Sequence, residues 1–436
     1  MRLRLLLGLV PVSLIIAGCG AGGSAGSGSP VTSVTTSVSP AATASGGTFF
    51  SRSPVAVRTA GQDSSGLPAS VRAQLEAISG PCSAPAAASA DPGIGGIQFT
   101  SRDQGWAVSS SSIMATTDGG AHWTVQLSGS LSLTSVDFIN GRDGWAVGSG
   151  RLLATTDGGT HWTALTEPCL TIRSVHFISA AIGFAVAGGT GVTVPGSGPA
   201  LPMLGGVTLV TDDGGRNWRE LRSAPAGMQA VCFSDASHGW AGAGGMLYRT
   251  ADGGVTWTQL TRPVAADGAG YPAAMSVECA SDGTVWALSS GPGAGKSQQQ
   301  HVGYYGSQSE VTGLFAEQTM QAPGTGPSRQ SPGSDPGPFS AIDSSEAVFI
   351  DACTACGMGT APWDLVSGAG ATLTKEGNVA GITSPEAASF LSPEVGWVAG
   401  ADLVPAGTAR SQQRIMATTN GGRTWVEQWA GPWTSD

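Results

Sequence analysis

The sequence feature that most restricts the fold is a short turn motif, Thr-x-Asp-Gly-Gly-x-x-Trp, which recurs along the chain. Its first copy runs from Thr116 to Trp123, and its last copy, from Thr418 to Trp425, has Asn in place of Asp. Asp-Gly and Asn-Gly pairs favour tight hairpins because such turns require positive φ angles. The chain therefore forms the same hairpin repeatedly, which predicts an all-β fold made of repeated units.

The motif occurs five times, and two of its positions have an evident structural use. The acidic or amide side chain can accept backbone N–H groups ahead of it and so close the turn. The five side chains at this position are Asp118, Asp157, Asp213, Asp252 and Asn420. The final Trp offers a large apolar surface that can pack under the turn or against a neighbouring unit. These tryptophans are Trp123, Trp162, Trp218, Trp257 and Trp425.

A second pattern, Gly-Trp-Ala-Val or a variant of it, recurs at the same period, and its first three copies at Gly105, Gly144 and Gly183 are evenly spaced. Each good repeat contains four strand-like segments, which is typical of a propeller blade. The units span 95–128, 132–166, 172–222, 228–261, 274–320, 338–376 and 386–430. The sequence thus predicts a seven-bladed β-propeller, with six or eight blades as alternatives because the fifth and sixth units are degenerate.

The turn resembles the Asp-box, or BNR repeat, of sialidases, xyloglucanases, sortilin-type receptors and photosystem II assembly-factor propellers. Together with Gly-Trp-Ala-Val, it is most similar to the photosystem II stability/assembly-factor-like family over residues 95–430, with blades five and six departing from the pattern. That resemblance implies Asp-box hairpins that act as folding elements on the propeller's periphery. Since each turn supplies one carboxylate, or two at Asp212-Asp213, and a metal needs several oxygen ligands, we expect neither a metal site nor a cofactor.

The N-terminus carries a targeting signal. Arg2 and Arg4 precede the apolar run Leu5–Ile16, and Ile16-Ala17-Gly18-Cys19 resembles a bacterial lipobox. We expect residues 1–18 to be a lipoprotein signal peptide and Cys19 to be lipidated, which would hold the protein on the outer face of the cytoplasmic membrane in a bacterial cell envelope. The alternative is an ordinary secretory signal with an incidental cysteine.

Three further segments are expected after the signal. Residues 19–45, rich in Gly, Ser, Thr and Ala, predict a flexible tether. Residues 46–94 form an extension with a short helix over Pro68–Ile78, and residues 95–430 form the propeller. The ring closes either by packing of the first blade on the last or by a strand from Thr48–Arg58 across the seam.

Six cysteines follow Cys19, and an even number in an exported protein indicates disulfides, among which 15 pairings are open. Cys353 and Cys356 form a C-x-x-C pair, for which a local disulfide is the favoured interpretation. The alternatives are a zinc pair, which would need two further ligands, and a redox pair, which would need a βαβ context.

The composition excludes some functions. With 20 Lys and Arg against 30 Asp and Glu, the net charge is −10, and a nucleic-acid partner is not expected. No catalytic motif is present, so no catalytic residue is assigned. The enzymatic alternative is a sialidase-like or other glycoside hydrolase, for which Asp137 and Glu278 on inner strands are the candidate acids. Channel-lining acids are the competing interpretation of both.

The candidate partner-binding residues are Arg102, Arg142 and Arg173, which fall in the sector of blades one to three. An arginine cluster in an acidic protein can receive anionic groups. The competing interpretation is loop charges neutralised by Asp103 and Asp143. We expect a monomeric, non-catalytic, surface-anchored propeller that binds an unknown protein or glycan partner, in the manner of an assembly or scaffolding factor of the cell envelope.

Overall fold

The computed structural model describes residues 67–73, 75–76, 93–148, 150–165, 171–188, 206–243, 246–260, 274–280, 282–290, 302–307, 315–320, 335–352, 364–369, 372–403 and 410–435. The chain divides into two compact units, 1–39 and 40–436, and every described residue belongs to the second. Most of these residues lie in antiparallel strands. None of the described helices is long and apolar enough to cross a bilayer.

The described strands form seven sheets of four or five strands each. Helix α1 (Ala69–Arg72) and strand β1 (Leu75–Glu76) precede them. Blade one contains β2 (Ile94–Phe99), β3 (Gly105–Ser109), β4 (Ser112–Thr116) and β5 (Thr124–Ser128). Blade two contains β6 (Leu133–Phe138), β7 (Gly144–Gly148), β8 (Arg151–Thr155) and β9 (Thr163–Ala164). Blade three contains β10 (Ile172–Phe177), β11 (Gly183–Ala187), β12 (Val207–Thr211) and β13 (Arg219–Leu221).

The remaining sheets repeat the same order. Blade four contains β14 (Met228–Phe233), β15 (Gly239–Ala243), β16 (Met246–Thr250) and β17 (Thr258–Gln259). Blade five contains β18 (Ala274–Cys279), β19 (Val285–Ser290), β20 (Val302–Ser307) and β21 (Phe315–Met320). Blade six contains β22 (Asp335–Ala341), β23 (Glu346–Ala352), β24 (Asp364–Ala369) and β25 (Thr372–Asn378). Blade seven contains β26 (Ser384–Phe390), β27 (Gly396–Leu403), β28 (Arg410–Thr418), β29 (Val426–Ala430) and β30 (Thr434–Ser435), which pairs with β28.

The sheets are arranged as a ring around their first strands. The first strand of each sheet lies beside the first strand of the next, and β2 of blade one also packs against β26 of blade seven. An apolar cluster that includes Phe99, Trp397 and Ile415 fills this closing junction. The predicted β-propeller is confirmed. The described blades close by packing first on last, while Thr48–Arg58 lie outside the described residues.

The N-terminal extension differs from its sequence-based prediction. The prediction of a helix over Pro68–Ile78 is wrong at Leu75–Glu76, because α1 ends at Arg72 and these two residues pair with the edge strand β13 of blade three, while Ala77 and Ile78 lie outside the described residues. An isolated short helix is marginal in water, whereas an open sheet edge offers backbone partners. Leu67 and Val71 are buried in the core between blades three and four. We call residues 67–76 the N-terminal strap.

The two ends of each blade carry different connections. The loop between first and second strands lies beside the turn between third and fourth strands, since Gly119 N–H donates to Asp103 O at 2.8 Å and Gly158 N–H to Arg142 O at 2.8 Å. We call this end of the blades the box face. Connections between second and third strands, and those between successive blades, leave from the opposite face.

Candidate binding face and the turns that support it

The box turn of blade one is closed by side chains at three of its positions. Thr116 Oγ1 accepts the N–H of Gly120 at 2.8 Å and donates to Asp118 Oδ1 at 2.9 Å. Asp118 Oδ1 also accepts the N–H of His122 at 2.9 Å, and His122 Nδ1 lies 2.6 Å from Oδ2. Gly119 and Gly120 have φ angles of 74° and 99°, a conformation that favours glycine. The acidic side chain is therefore engaged in closing the turn.

The same arrangement occurs in the other four copies. Asp157, Asp213, Asp252 and Asn420 each accept the backbone N–H four residues ahead at 2.9 Å. In blade seven the second bond is reversed, because Asn420 Nδ2 donates to Thr424 Oγ1 at 2.8 Å. The amide thus preserves the turn without a charge.

Two positions of the turn have roles that the motif alone does not indicate, the first Thr and the residue before Trp. A polar side chain that can bond the Asp or Asn stands before Trp in every copy, namely His122, His161, Asn217, Thr256 and Thr424. The sequence therefore contains a recognisable pattern, in which a residue with a polar side chain always precedes the Trp. The residues differ in type, so a search for identical letters does not find it.

Hydrogen bonds control the ionisation of the box aspartates. The N–H of His122, and then its ring, lower the pKa of Asp118 to about 2. The N–H and ring of His161 likewise lower the pKa of Asp157 to about 2. For Asp213, burial is the largest single influence and opposes the change, but bonds from Asn217 and Thr211 together lower its pKa. These carboxylates stay ionised and bonded at neutral pH, as turn-closing groups do.

Tryptophans join several of the blades to their neighbours. The box Trp123 meets Phe99 of its own blade edge-on, with ring centroids 5.9 Å apart. Trp106 on β3 stacks on Phe138 of blade two at 3.6 Å, and its Nε1 donates to Gly158 O in the next box at 3.1 Å. The same stack and bond recur between blades two and three, and between blades seven and one.

A further set of links surrounds the axis, where the penultimate side chain of each first strand reaches the last residue of the next first strand. We call this set the inner girdle. Its members are Gln98, Asp137, His176, Cys232, Glu278, Ser340 and Ser389. All seven side chains are buried. The girdle occupies every junction among the described blades.

The inner girdle explains the two acids considered as catalytic candidates. Asp137 Oδ2 accepts the N–H of Phe177 at 2.6 Å, and Glu278 Oε2 accepts the N–H of Ala341 at 3.1 Å. Asp137 joins blades two and three, whereas Glu278 joins blades five and six. The structure does not bring them together across a cleft, and both are buried between blades rather than lining a solvated channel.

One girdle link is covalent. Cys232 of blade four and Cys279 of blade five form a disulfide, which leaves three of the 15 pairings that the sequence allowed. Cys82, Cys169, the Cys353–Cys356 pair and Cys19 lie outside the described residues. Within the described part of the chain, no group of three or more His, Cys, Asp or Glu side chains could hold a metal ion.

Two of the three candidate arginines share the box face. Arg102 and Arg142 are exposed on adjoining loops, which touch where Gln104 Nε2 donates to Gly141 O at 3.0 Å. Asp143 accepts Asn140 Nδ2 at 2.9 Å. Among the described residues neither guanidinium has an ion-pair partner, so neutralisation by Asp103 and Asp143 is not what the structure shows.

The third arginine does not belong to this group. Arg173 lies within β10 and not before it, at the end remote from the box turn, because Ile172 pairs with Ala187 whereas Phe177 pairs with Gly183. Four residue steps along the strand separate it from Phe177, the box-face end of β10, by about 13 Å. Its guanidinium is half-buried, and desolvation lowers its pKa. Arg173 therefore faces the opposite end of the propeller from Arg102 and Arg142.

Comparison with known proteins agrees with this architecture. Residues 88–171 match the family described as photosynthesis system II assembly factor YCF48. No curated protein matches the chain by sequence.

Similar solved structures include YCF48 bound to D1 peptide, with 19% identity over 74% of this chain and 93% of that one, and a TM-score of 0.44. YCF48 from Cyanidioschyzon merolae has 15% identity over 70% and 92%, with a TM-score of 0.47. An ancestral GH74 enzyme has 13% identity over 78% and 47%, with a TM-score of 0.46. The chain is a BNR-type β-propeller whose first two blades resemble the photosystem II assembly factor YCF48.

Proposed function

We propose that this protein is a non-catalytic binding propeller that receives an anionic segment of a protein partner on its box face. The observation that carries the proposal is the pair of exposed arginines, Arg102 and Arg142, on touching loops without an ion-pair partner among the described residues. A guanidinium binds carboxylates bidentately, and two of them on one rigid face can orient an acidic segment. The side chains of Ser101 and Asn140 each accept two backbone N–H groups of their own loop, and loops preorganised in this way lose less entropy on binding.

The positions of the acidic side chains in the blades favour a binding function over a hydrolytic one. A glycosidase of the two-carboxylate kind needs acids about 5–10 Å apart across a substrate cleft. Here Asp137 and Glu278 accept backbone N–H groups at different junctions, and the box aspartates close turns. These carboxylates are engaged in holding the fold.

The charge of the site favours an anionic partner over a neutral glycan, and we propose a protein segment as that partner. A neutral glycan offers no counterpart to two guanidinium groups, whereas acidic side chains do. One YCF48 structure contains a D1 peptide, which is a protein ligand on a propeller of related sequence. For this chain we infer a role as an assembly or scaffolding factor of the cell envelope, working as a monomer.

The partner site is tested by cross-linking and mass spectrometry of the full chain in its host. The double variant Arg102→Glu/Arg142→Glu is expected to reduce partner recovery at least tenfold, and added salt is expected to weaken wild-type binding. Arg151→Glu is the control, because this exposed arginine lies on the opposite face of blade two. Equal recovery by all three proteins would contradict the proposal, and so would sugar release from glycans by the wild type.

We also propose that Cys19 carries the lipid that holds the propeller at the membrane. The motif Ile16-Ala17-Gly18-Cys19 supports this assignment. In cells fed a labelled fatty acid, the wild type is expected to be labelled and to sediment with membranes, and Cys19→Ser is expected to lose both properties. Retention of the label by the variant would contradict the assignment. Cys82→Ser serves as the matched control.

A further inference from the structure

The junction between blades four and five is built differently from the other described junctions. At each of the others, a girdle side chain bonds the backbone of the next blade, as Gln98 does with Phe138 N–H at 2.6 Å. Between blades four and five that link is the disulfide between Cys232 and Cys279. Cys279 stands at the position where most first strands end in Phe.

Two other contacts found at neighbouring junctions are missing here among the described residues. Trp240 on β15 corresponds to Trp106 and Trp397, which stack on a Phe of the next blade and donate to its box glycine. With Cys279 in place of Phe, Trp240 lacks that stacking partner. Its buried Nε1 also has no hydrogen-bond partner among the described residues, and blade five lacks the box motif.

The noncovalent contacts that remain are mainly apolar. Cys232, Trp240, Leu247, Val277 and Val285 form one buried cluster that spans the two blades. The Arg249 guanidinium lies 5.5 Å from the centroid of a Trp240 ring, on the same sheet face. The contact of Arg249 with Trp240 lies within blade four, so among the described residues the disulfide is the main directional link between the two blades.

We propose that the junction of blades four and five is a redox-sensitive seam, closed by the Cys232–Cys279 disulfide and loosened when a dithiol reduces it. The reductant's first thiolate attacks Sγ of Cys279, the less buried residue of the pair, and the S–S bond breaks to release Cys232 as a thiolate that takes up a proton. The reductant's second thiolate then displaces Cys279. The products are two protein thiols and an oxidised, cyclic reductant, so two electrons pass to the protein.

Reduction should act locally. The junction of blades one and two keeps its girdle bond, its Trp–Phe stack and its Trp–Gly bond whatever the state of the disulfide. The strands expected to open are β15 and β18, which meet at the seam. The Trp240 surface would become accessible, while the box-face arginines of blades one and two would not move.

Hydrogen–deuterium exchange with mass spectrometry on the full chain tests the seam. Dithiothreitol is expected to speed amide exchange at least tenfold in peptides covering 228–243 and 274–288, and to leave 94–108 unchanged. The double variant Cys232→Ala/Cys279→Ala should show the fast pattern without reductant. The double variant Cys353→Ala/Cys356→Ala should behave as wild type, which separates this disulfide from any other.

Several results would overturn the proposal. One is exchange at the seam that does not change on reduction, and another is a rise of equal size in all blades. A third is alkylation of both Cys232 and Cys279 in unreduced, denatured wild type, since that shows free thiols. If the double alanine variant does not fold, the comparison of oxidised with reduced wild type decides the question, and circular dichroism shows whether the sheets of the reduced protein persist.

Discussion

At the residue scale, the box turn depends on a threonine hydroxyl as much as on the aspartate. Thr116 is buried, and its Oγ1 bonds the turn at both ends, whereas the adjacent Thr117 is exposed. Thr116→Val leaves the buried Gly120 N–H without its acceptor, which is expected to lower the free energy of unfolding by about 1–3 kcal/mol. Urea denaturation measures this loss. Thr117→Val is the control, expected to change stability by less than about 0.5 kcal/mol.

The ionised box aspartates predict a specific acid response. A carboxyl whose folded pKa is depressed contributes stability that is present above its unfolded pKa of about 3.9 and is lost as pH falls through the folded pKa. For Asp118 and Asp157 the folded pKa is about 2, so the window lies between about pH 4 and pH 2. Asp118→Asn/Asp157→Asn is expected to flatten the fall in unfolding free energy across that window.

The asparagine variant is a fair test because Asn420 already closes a turn of the same kind. On unfolding within that window, the variant takes up as many as about two fewer protons than the wild type, and this difference sets the expected flattening. It is measured by urea denaturation at a series of pH values. Parallel curves for wild type and variant would show that these carboxylates do not titrate with unfolding.

Sequence reasoning identified some site residues and missed others for physical reasons. The role of the box Asp was predictable because an Asp-Gly pair is typical of a tight turn. The girdle was not, because Gln98, His176 and Ser389 share a position but no chemical type. Arg173 was misplaced because arginines on neighbouring blades share a sector of the ring whichever end of a strand they occupy. Burial and face are set by tertiary packing, which single residues do not encode.

At the scale of elements, the second strand of a blade binds the next blade through its tryptophan. Gly105, which precedes Trp106, is required because a Cβ there would lie 2.6 Å from the ring of Phe99. Because Gly105 has no side chain, the ring of Phe99 can lie flat on β3. The Trp of the preceding blade in the ring then stacks on the other face of the Phe99 ring. The Gly-Trp pair visible in the sequence is therefore an interface motif between blades.

This interface predicts unequal effects of one substitution at two places. Trp397→Phe removes the bond from Nε1 to Gly119 O, which is 2.9 Å long. Trp240→Phe removes a ring nitrogen that has no partner among the described residues. We expect Trp397→Phe to be the more destabilising by about 1–2 kcal/mol in urea denaturation. Equal losses would mean that the bond contributes nothing to the net stability.

The N-terminal strap is a second element with a measurable role. Val71 is fully buried, and a Cβ at Gly253 in the box of blade four would lie 2.4 Å from its side chain. Val71→Ala is expected to lower the free energy of unfolding by about 1–3 kcal/mol. Val125→Ala, at a side chain 56% exposed, is the control and should have little effect. An equal response of the two variants would indicate that the strap is undocked in solution.

The strap also shows where element prediction from sequence fails. Its residues have a helical pattern, and four of them do form a helix. Leu75 and Glu76 instead form a strand, because they pair with the edge strand β13. A partner supplied by a strand far along the chain is invisible to local periodicity.

At the scale of the whole molecule, the ring is closed by packing between chain segments that are far apart in sequence. Phe99 of blade one stacks on Trp397 of blade seven at 3.5 Å, and Phe138 of blade two has the same relation to Trp106. We expect Phe99→Ala and Phe138→Ala to destabilise the protein by similar amounts, each about 3–5 kcal/mol. Urea denaturation compares them. A small loss for Phe99→Ala alone would show that the ring is open at this seam in solution.

The sequence predicted the propeller because five copies of one hairpin leave few other arrangements. It did not predict which connections share a face. The two ends of the ring differ, since the box face has loops and turns of similar, short lengths. The longer connections, such as residues 189–205 and 291–301, begin and end on the opposite face. That asymmetry follows from strand order in the sheets and becomes visible only when the blades are assembled.

The inner girdle has a consequence for how such a chain can evolve. Six of its seven links join a side chain to main-chain atoms of the next blade, which any sequence presents in the same way. The girdle therefore requires no matching side chain in the neighbour, and the Trp–Phe stacks are kept when the exchanged blade carries the repeated Gly-Trp and Phe positions. The seventh link joins two cysteines, so each needs the other. Blades four and five are therefore expected to be inherited as a pair, whereas the remaining blades are free to be shuffled singly.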